Sequence, residues 1–108
     1  MTDQTLEELL ASTSGLAGRK DDNGKDRWDL LPLAATKDVV KVLTYGAAKY
    51  SDDNWRIVPD AYNRYYSAAM RHLAAWRLGQ ECDPETGLSH LAHATCCLLF
   101  LATFDSER

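Results

Sequence analysis

The chain of 108 residues carries 16 acidic and 12 basic side chains, a formal net charge of −4, and its pI is near 5.2. This length fits one domain with a modest core, and the acidic balance argues against duplex DNA and anionic membranes, which select basic surfaces. Neither a leader peptide nor an apolar run of about 18 residues occurs, so the sequence predicts a cytoplasmic protein. Three cysteines, two of them adjacent, fit reduced thiols better than a disulfide framework.

Residues 1–18 are interpreted as a flexible N-terminal arm, and residues 19–108 as a single helical domain. The arm holds a short amphipathic segment and ends in small residues, which is typical of a flexible connection. The next stretch, GRKDDNGKDRWDLLP, is dense in charge and turn formers and indicates a loop. Because this loop ends in the apolar run from Trp28 to Pro32, we expect it to dock on the helices.

The first predicted helix begins at a capping threonine, Thr36, and ends near Tyr50. Its apolar positions at helical spacing are Val40, Leu43 and Ala47. Asp60 can cap the second helix, on which Arg64 and Arg71 lie opposite the apolar stripe. The members of that stripe follow the helical repeat and are Tyr62, Tyr65, Ala69, His72, Leu73 and Trp76.

A third helix is predicted from about Leu88 to Phe104. Its core stripe at helical spacing contains Leu91, Thr95, Leu98 and Ala102, with Leu99 and Phe100 widening it. No alternating strand pattern competes, so we predict an all-α fold, a compact bundle of three main helices with a docked N-terminal loop. So small a bundle leaves apolar surface exposed, which favours a homo-oligomer.

All three histidines lie around an acidic turn between the second and third helices. The turn, Gly79 to Gly87, is indicated by its glycines and a proline and carries three carboxylates. His90 and His93 are three residues apart and share a helix face, and an antiparallel helix pair brings His72 towards them. The ligand types suit a divalent metal, which predicts a site formed by Asp83, Glu85, His90 and His93. Alternatively, the histidines cap the turn and satisfy buried backbone groups.

A second set combines cations with aromatic and amide side chains, which can hold phosphates and a stacked base. Its members are Lys20, Lys25, Arg27, Lys49, Tyr50, Asn54, Trp55, Arg64, Tyr65 and Arg71. The alternative is a solvated charged face with core aromatics. Core packing alone does not explain why Lys49 and Asn54 lie where the first predicted helix ends and a loop begins. The adjacent Cys96 and Cys97 indicate buried small apolar residues rather than a nucleophile, because apolar surroundings raise a thiol pKa.

Four runs, GRKDDNGKDRWDLLP, VLTYGAAKYSDDNW, RYYSAAMRHLAAW and DPETGLSHLAHATCCLLFL, together resemble the phage and bacterial dATP/dGTP diphosphohydrolase domain family. The resemblance runs from about Gly18 to Phe104, and the motifs occur in the family's order. It implies hydrolysis of a purine deoxynucleoside triphosphate to the monophosphate and pyrophosphate, in the host cytoplasm if the protein is phage-encoded.

The implied activity is similar to that of the all-α MazG-like pyrophosphohydrolases, which use magnesium or manganese on E-x-x-E and E-x-x-D helical pairs. This chain has neither pair, and it offers histidines instead, which also suit zinc or cobalt. In this interpretation the catalytic residues are His72, Asp83 and Glu85. A different class stays open, a nucleotide-binding protein without catalysis, such as a phage protein that sequesters a nucleotide signal.

Overall fold

The computed structural model describes residues 17–108, so the predicted arm of residues 1–18 lies almost wholly outside the described residues. Three α-helices of 17 residues each follow one another: α1 (Leu33–Lys49), α2 (Ala61–Arg77) and α3 (His90–Ser106). Short 3-10 helices occupy Trp28–Leu30 and Asn54–Ile57. Residues 17–108 contain no strand beyond one isolated antiparallel bridge, which confirms the all-α prediction. In the same range no helix is long and apolar enough to span a membrane.

The helix starts differ from the predicted ones in their capping groups. α1 begins at Leu33, directly after Pro32, and the Thr36 hydroxyl donates to the Pro32 carbonyl oxygen (3.1 Å) instead of capping. Asp60 does precede α2, but its backbone is left-handed (φ 54°) and its carboxylate accepts from the Asn63 amide instead of a backbone N–H. α3 starts at His90, where the Ser89 hydroxyl accepts from two backbone N–H groups.

α3 lies at the centre of the fold and packs against both α1 and α2. Val39 and Val42 on α1 are buried against Ala92 and Cys96 on α3. Small residues at these contacts let the helices approach closely, and the Cys96 thiol donates to the Val39 carbonyl oxygen (3.4 Å). On the other side of α3, Ala69 of α2 is only 2% exposed. The core of the described residues is therefore small: one cluster joins α1 to α3, and Ala69 is buried where α2 packs against α3.

Two predicted core stripes are placed differently by the structure. On α1 the buried valines are Val39 and Val42, while Val40 of the predicted stripe is 52% exposed. On α3 all four residues of the predicted core stripe (Leu91, Thr95, Leu98, Ala102) are exposed, and its other side packs in the core. α3 is apolar around nearly its whole circumference, so hydrophobic periodicity alone could not select the buried side.

The predicted docking of the N-terminal loop on the helices is not observed. Every residue from 17 to 35 is exposed, including Trp28 at 77%. Local contacts shape the segment instead, since Arg27 forms an ion pair with Asp29 (2.7 Å). The apolar residues of this loop therefore have no partner surface among the described residues of their own chain.

Candidate functional site

The turn between α2 and α3 is held by backbone hydrogen bonds that reverse the chain. The Asp83 N–H donates to the Leu88 carbonyl oxygen (2.8 Å), and the His90 N–H donates to the Glu81 carbonyl oxygen (3.0 Å). Gly87 adopts φ 71°, a left-handed conformation that a glycine takes without strain. The two helices consequently run antiparallel, and the turn carries its carboxylates to the histidine-bearing ends of both.

The three histidines meet at that point, as the antiparallel prediction required. His72 Nδ1 lies 2.8 Å from His90 Nδ1, and the His72 ring stacks on the His93 ring with centroids 4.5 Å apart. His90 is 3% exposed, so its ring sits inside the protein, while the other two are half-buried. α2 supplies one imidazole and the first turn of α3 supplies two.

A chain of hydrogen bonds through Gln80 fixes the tautomers of the neutral imidazoles. The Gln80 carbonyl oxygen, Oε1, lies 2.8 Å from His90 Nε2 and can only accept, so His90 Nε2 carries the proton. Neutral His90 then has its lone pair at Nδ1, and His72 Nδ1 must donate to it. His72 in turn keeps a lone pair at Nε2. Sequence reasoning missed Gln80, because an exposed glutamine beside a turn carries no distinctive signal.

Thr86 joins the carboxylate of the turn to the third histidine. Its N–H and its hydroxyl lie 3.0 and 3.2 Å from Asp83 Oδ2, and the same hydroxyl lies 2.8 Å from His93 Nε2. Asp83 Oδ2 and His93 Nε2 are 4.0 Å apart. Thr86 was also missed from the sequence, since a threonine in a turn is ordinary until its partners are known.

The environment lowers the pKa values of His72, His93 and Asp83. Burial lowers the pKa of both His72 and His93, and the neighbouring imidazoles lower each further. Partial burial pushes the pKa of Asp83 upwards, but the hydrogen bonds from Thr86 outweigh it, so the net pKa is lowered. At neutral pH His72 and His93 are therefore neutral and Asp83 is ionised, which are the states that bind a cation.

We expect the free energy of unfolding to fall when the pH is lowered from 7.5 to 5.5. The pKa values of His72 and His93 are below the ordinary value of about 6.5, so the unfolded chain binds more protons in this window. The contribution of these two histidines to the free energy of unfolding is therefore complete above about pH 6.5 and is lost as the pH falls below that value. Urea denaturation in chelator at both pH values measures the change. The variant His72→Gln should lose less than wild type, and a wild-type stability that does not change over this range would contradict the assignment.

The donor set fits a divalent cation. His72, Asp83 and His90 each offer one ligand atom, and these atoms lie within 4.8 Å of one another. Two imidazoles and a carboxylate are ligands that zinc, manganese and cobalt accept. His93, predicted as a ligand, borders this group through Asp83. Glu85 lies apart from it, because its carboxylate accepts from the Tyr45 hydroxyl (3.0 Å) and the Lys49 ammonium (2.8 Å).

A cavity of about 710 Å³ opens beside the histidine group, between α1, α3 and the 51–55 loop. Four residues predicted to bind the ligand line it, namely Tyr50, Asn54, Trp55 and Tyr65. Gly46, the only glycine inside the three helices, also lines it.

The thiols of Cys96 and Cys97 form part of the cavity wall, and burial raises their pKa values to about 12 and about 11, so both stay protonated. His93 belongs to the cavity wall as well as to the histidine group, which connects the two.

The aromatic residues of the cavity differ in how free their faces are. Trp55 stacks on Phe100 with centroids 4.4 Å apart, and the Arg56 guanidinium lies 4.5 Å from the Trp55 ring centroid. Tyr65 meets the same Phe100 edge to face at 5.0 Å. Tyr50 is 63% exposed, with the Lys49 ammonium 5.3 Å from its ring centroid. Trp55 thus strengthens the wall, while Tyr50 offers the more open ring at the rim.

Of the six cations predicted to bind phosphate, two flank the site and four lie away from it. Lys49 lies at the end of α1 beside Tyr50, and the Arg71 charge on α2 acts on both His72 and Cys97, so these cations flank the site. The Arg64 guanidinium instead donates to the Pro59 carbonyl oxygen (3.4 Å) at the start of α2. The cations of the N-terminal loop, which are Lys20, Lys25 and Arg27, neither line the cavity nor join the histidine group.

Comparison with known proteins identifies the family. The model of the family described as dATP/dGTP diphosphohydrolase, N-terminal, matches residues 16–108. A dATP/dGTP diphosphohydrolase of Salmonella phage PMBT28 is 35% identical over 86 residues, which cover 80% of this chain and 29% of the relative. The chain therefore spans less than a third of the length of that relative, and no solved structure matches it. On the family match, which covers nearly the whole sequence, the chain belongs to the dATP/dGTP diphosphohydrolase N-terminal family.

Proposed function

We propose that the protein hydrolyses purine deoxynucleoside triphosphates, dATP or dGTP, to the monophosphate and pyrophosphate with the help of a divalent metal ion. The observation that carries the proposal is that His93 belongs both to the wall of a ligand-sized cavity and to the histidine group. A base in the cavity would thus leave its phosphates beside the two imidazoles and the carboxylate. Family membership and the name of the phage relative support the same reaction.

The ion would be held by His72, Asp83 and His90, the three residues whose ligand atoms converge. When bound, a divalent cation polarises the phosphate chain and offsets the charge that develops on it. For both Nδ1 atoms to face the ion, the His72 proton would move from Nδ1 to Nε2 of the same ring, while the Gln80 hydrogen bond would keep the His90 proton on Nε2 and orient that ring. Each of these contacts comes from the turn or from the adjoining helix ends.

The remaining roles belong to residues around the cavity. Water attacks the α-phosphorus, the bond to the pyrophosphate oxygen breaks, and His93, neutral because of its lowered pKa, accepts the proton of the water. Arg71 and Lys49 would offset negative charge on the triphosphate, with Lys49 exchanging its partner Glu85 for phosphate. Tyr50 would stack on the purine, and Asn54 at the cavity wall offers it both a donor and an acceptor.

A binding protein without catalysis, such as one that sequesters a nucleotide signal, is the second candidate. One observation favours it: both ring nitrogens of His90 already have hydrogen-bond partners, as a purely structural histidine would. Such a protein would need the cavity and the flanking cations but not the metal. The two candidates therefore differ in their dependence on a divalent ion.

Turnover assays separate the candidates. The protein is incubated with dATP, dGTP, dCTP or dTTP and with magnesium, manganese, cobalt or zinc, and the release of pyrophosphate and deoxynucleoside monophosphate is measured. We expect both products from a purine substrate and none in the presence of chelator. Tight binding of dATP or dGTP that resists chelator and yields no product would contradict the hydrolase and support sequestration.

A further inference from the structure

The segment between α1 and α2 forms one wall of the cavity. Residues 51–55 line the cavity, and the 3-10 helix Asn54–Ile57 carries the last two of them. We call residues 51–57 the wall segment. Its backbone is left-handed at Asp53 (φ 59°), a conformation that costs an L-residue free energy. Tertiary contacts have to offset that cost, so the contacts of the wall segment decide the shape of the cavity.

Two neighbouring side chains attach the wall segment to the end of α3. Trp55 stacks on Phe100 and meets Phe104 edge to face at 5.5 Å. Arg56 reaches further along the same helix, where its guanidinium donates to Glu107 Oε1 (3.0 Å). An aromatic contact and a charged hydrogen bond therefore act together over the last two turns of α3.

Three groups engage the Arg56 guanidinium at once. Besides its hydrogen bond to Glu107, its Nε lies 4.0 Å from Asp53 Oδ1, and its Cζ lies 4.5 Å from the Trp55 ring centroid. A planar guanidinium with five N–H donors suits two carboxylates and an aromatic ring together. An isolated exposed ion pair contributes little, whereas a network of charges restricts the side chain to one position. Arg56 thus links the left-handed turn, the tryptophan of the wall and the end of α3.

α3 connects this attachment to the histidine group at its other end. His93 lies in the first turn of α3 and Glu107 directly follows its last residue, so about 21 Å of one helix separates them. The cavity lies between these two ends, since both His93 and the wall segment line it. A base at the wall segment and phosphates at the histidine group would therefore be spaced by α3. That spacing is kept only while the wall segment stays attached to the helix.

We propose that Arg56 is a positioning residue for the nucleotide: through Glu107 it fixes the wall segment, and with it Trp55, at the distance from the histidine group that the substrate requires. The inference rests on the proposed function, because the nucleotide is the ligand whose base the wall segment would meet. Among the described residues, Arg56 belongs neither to the cavity lining nor to the group that could hold a metal. Its loss should therefore raise the KM for dATP or dGTP and leave kcat near the wild-type value.

Fluorescence of Trp55 tests the attachment without nucleotide or metal. In a background of Trp28→Phe and Trp76→Phe, Trp55 is the sole tryptophan, and quenching by neutral acrylamide reports how far its ring is open to solvent. Arg56→Gln and Glu107→Gln should each raise the quenching constant by about 2-fold, and the double variant should go no further, since both changes remove the same contact.

Arg108→Gln is the matched control. Arg108 also lies at the end of α3 and contacts a carboxylate and an aromatic ring, but its partners, Asp105 (2.9 Å) and the Tyr62 ring (5.2 Å from its centroid), lie outside the wall segment. The control should leave both the quenching constant and KM unchanged. An equal rise in quenching in Arg108→Gln, or no rise in Arg56→Gln and Glu107→Gln, would overturn the attachment.

Steady-state kinetics with dATP and dGTP test the positioning role. The KM of Arg56→Gln and of Glu107→Gln should rise about 2- to 5-fold at constant kcat. Arg56→Lys should recover part of the loss, because an ammonium still pairs with Glu107 but lacks the planar fork. A wild-type KM in a variant whose Trp55 quenching has risen would overturn the positioning role. Absence of turnover in the wild type would instead contradict the proposed function, and the Kd of each variant from calorimetry would then take the place of KM.

Discussion

Substituting Asp83 by asparagine is expected to reduce dATP or dGTP turnover by at least about 100-fold while nucleotide binding is retained. The substitution removes the negative charge that would hold the ion together with His72 and His90. It preserves the shape of the side chain, and an amide oxygen can still accept the hydrogen bond that the Thr86 N–H donates. The fold should therefore survive, and the loss should appear in kcat and in metal affinity.

Steady-state kinetics and calorimetry with manganese measure these two effects. Glu81→Gln is the matched control, because it neutralises an exposed carboxylate of the same turn outside the ligand group, and it should keep turnover near the wild-type value. Wild-type kcat in Asp83→Asn would rule out the carboxylate as part of the catalytic centre. Loss of folding in that variant would show in its circular dichroism and would be distinguished from a specific loss of metal.

Truncation of Trp55 to alanine should weaken nucleotide binding by about 1–3 kcal/mol, or roughly 5- to 150-fold in Kd. Trp55 stacks on Phe100 and also meets Phe104 edge to face at 5.5 Å, so its removal lets the cavity wall relax. The same loss of packing should lower the free energy of unfolding by about 2–3 kcal/mol, since the ring is half-buried.

Calorimetric titration with a non-hydrolysable dATP analogue and urea denaturation provide the two measurements. Trp28→Ala is the control, because it removes the same ring from a position that is 77% exposed and away from the cavity. Trp55→Phe should recover most of the stability, since an aromatic ring still meets Phe100. Unchanged affinity in Trp55→Ala would show that the ligand does not occupy this cavity.

The number and order of the helices could be predicted because each is delimited by local signals. Four residues of the stripe predicted on α2, which are Tyr65, Ala69, His72 and Leu73, are buried or half-buried, whereas its two end residues, Tyr62 and Trp76, are exposed. The buried side of α3 was not predictable, because apolar residues surround that helix. On α1, Val39 and Val40 are adjacent and chemically equivalent, so only the contact with α3 decides which is buried.

The meeting of the three histidines followed from the short turn between two helices and from their spacing. Which carboxylate accompanies them could not be read from the sequence, because Asp83 and Glu85 are two residues apart in one turn. Backbone hydrogen bonds direct Asp83 towards the histidines, while the longer Glu85 side chain reaches α1 and binds Lys49. The contributions of Gln80 and Thr86 depend on contacts between helix ends and appear only in the folded chain.

At Gly46, the stability of α1 and the volume of the cavity make opposite demands on the side chain. A methyl group added there would meet no atom within 4 Å, and alanine in place of glycine inside a helix stabilises it by about 1 kcal/mol. That methyl group would also occupy space at the wall of the cavity that Gly46 lines. Helix propensity alone would recommend Gly46→Ala as a thermostabilising substitution. The substitution would make α1 more stable, but it would reduce the volume of the cavity in which a purine is proposed to bind.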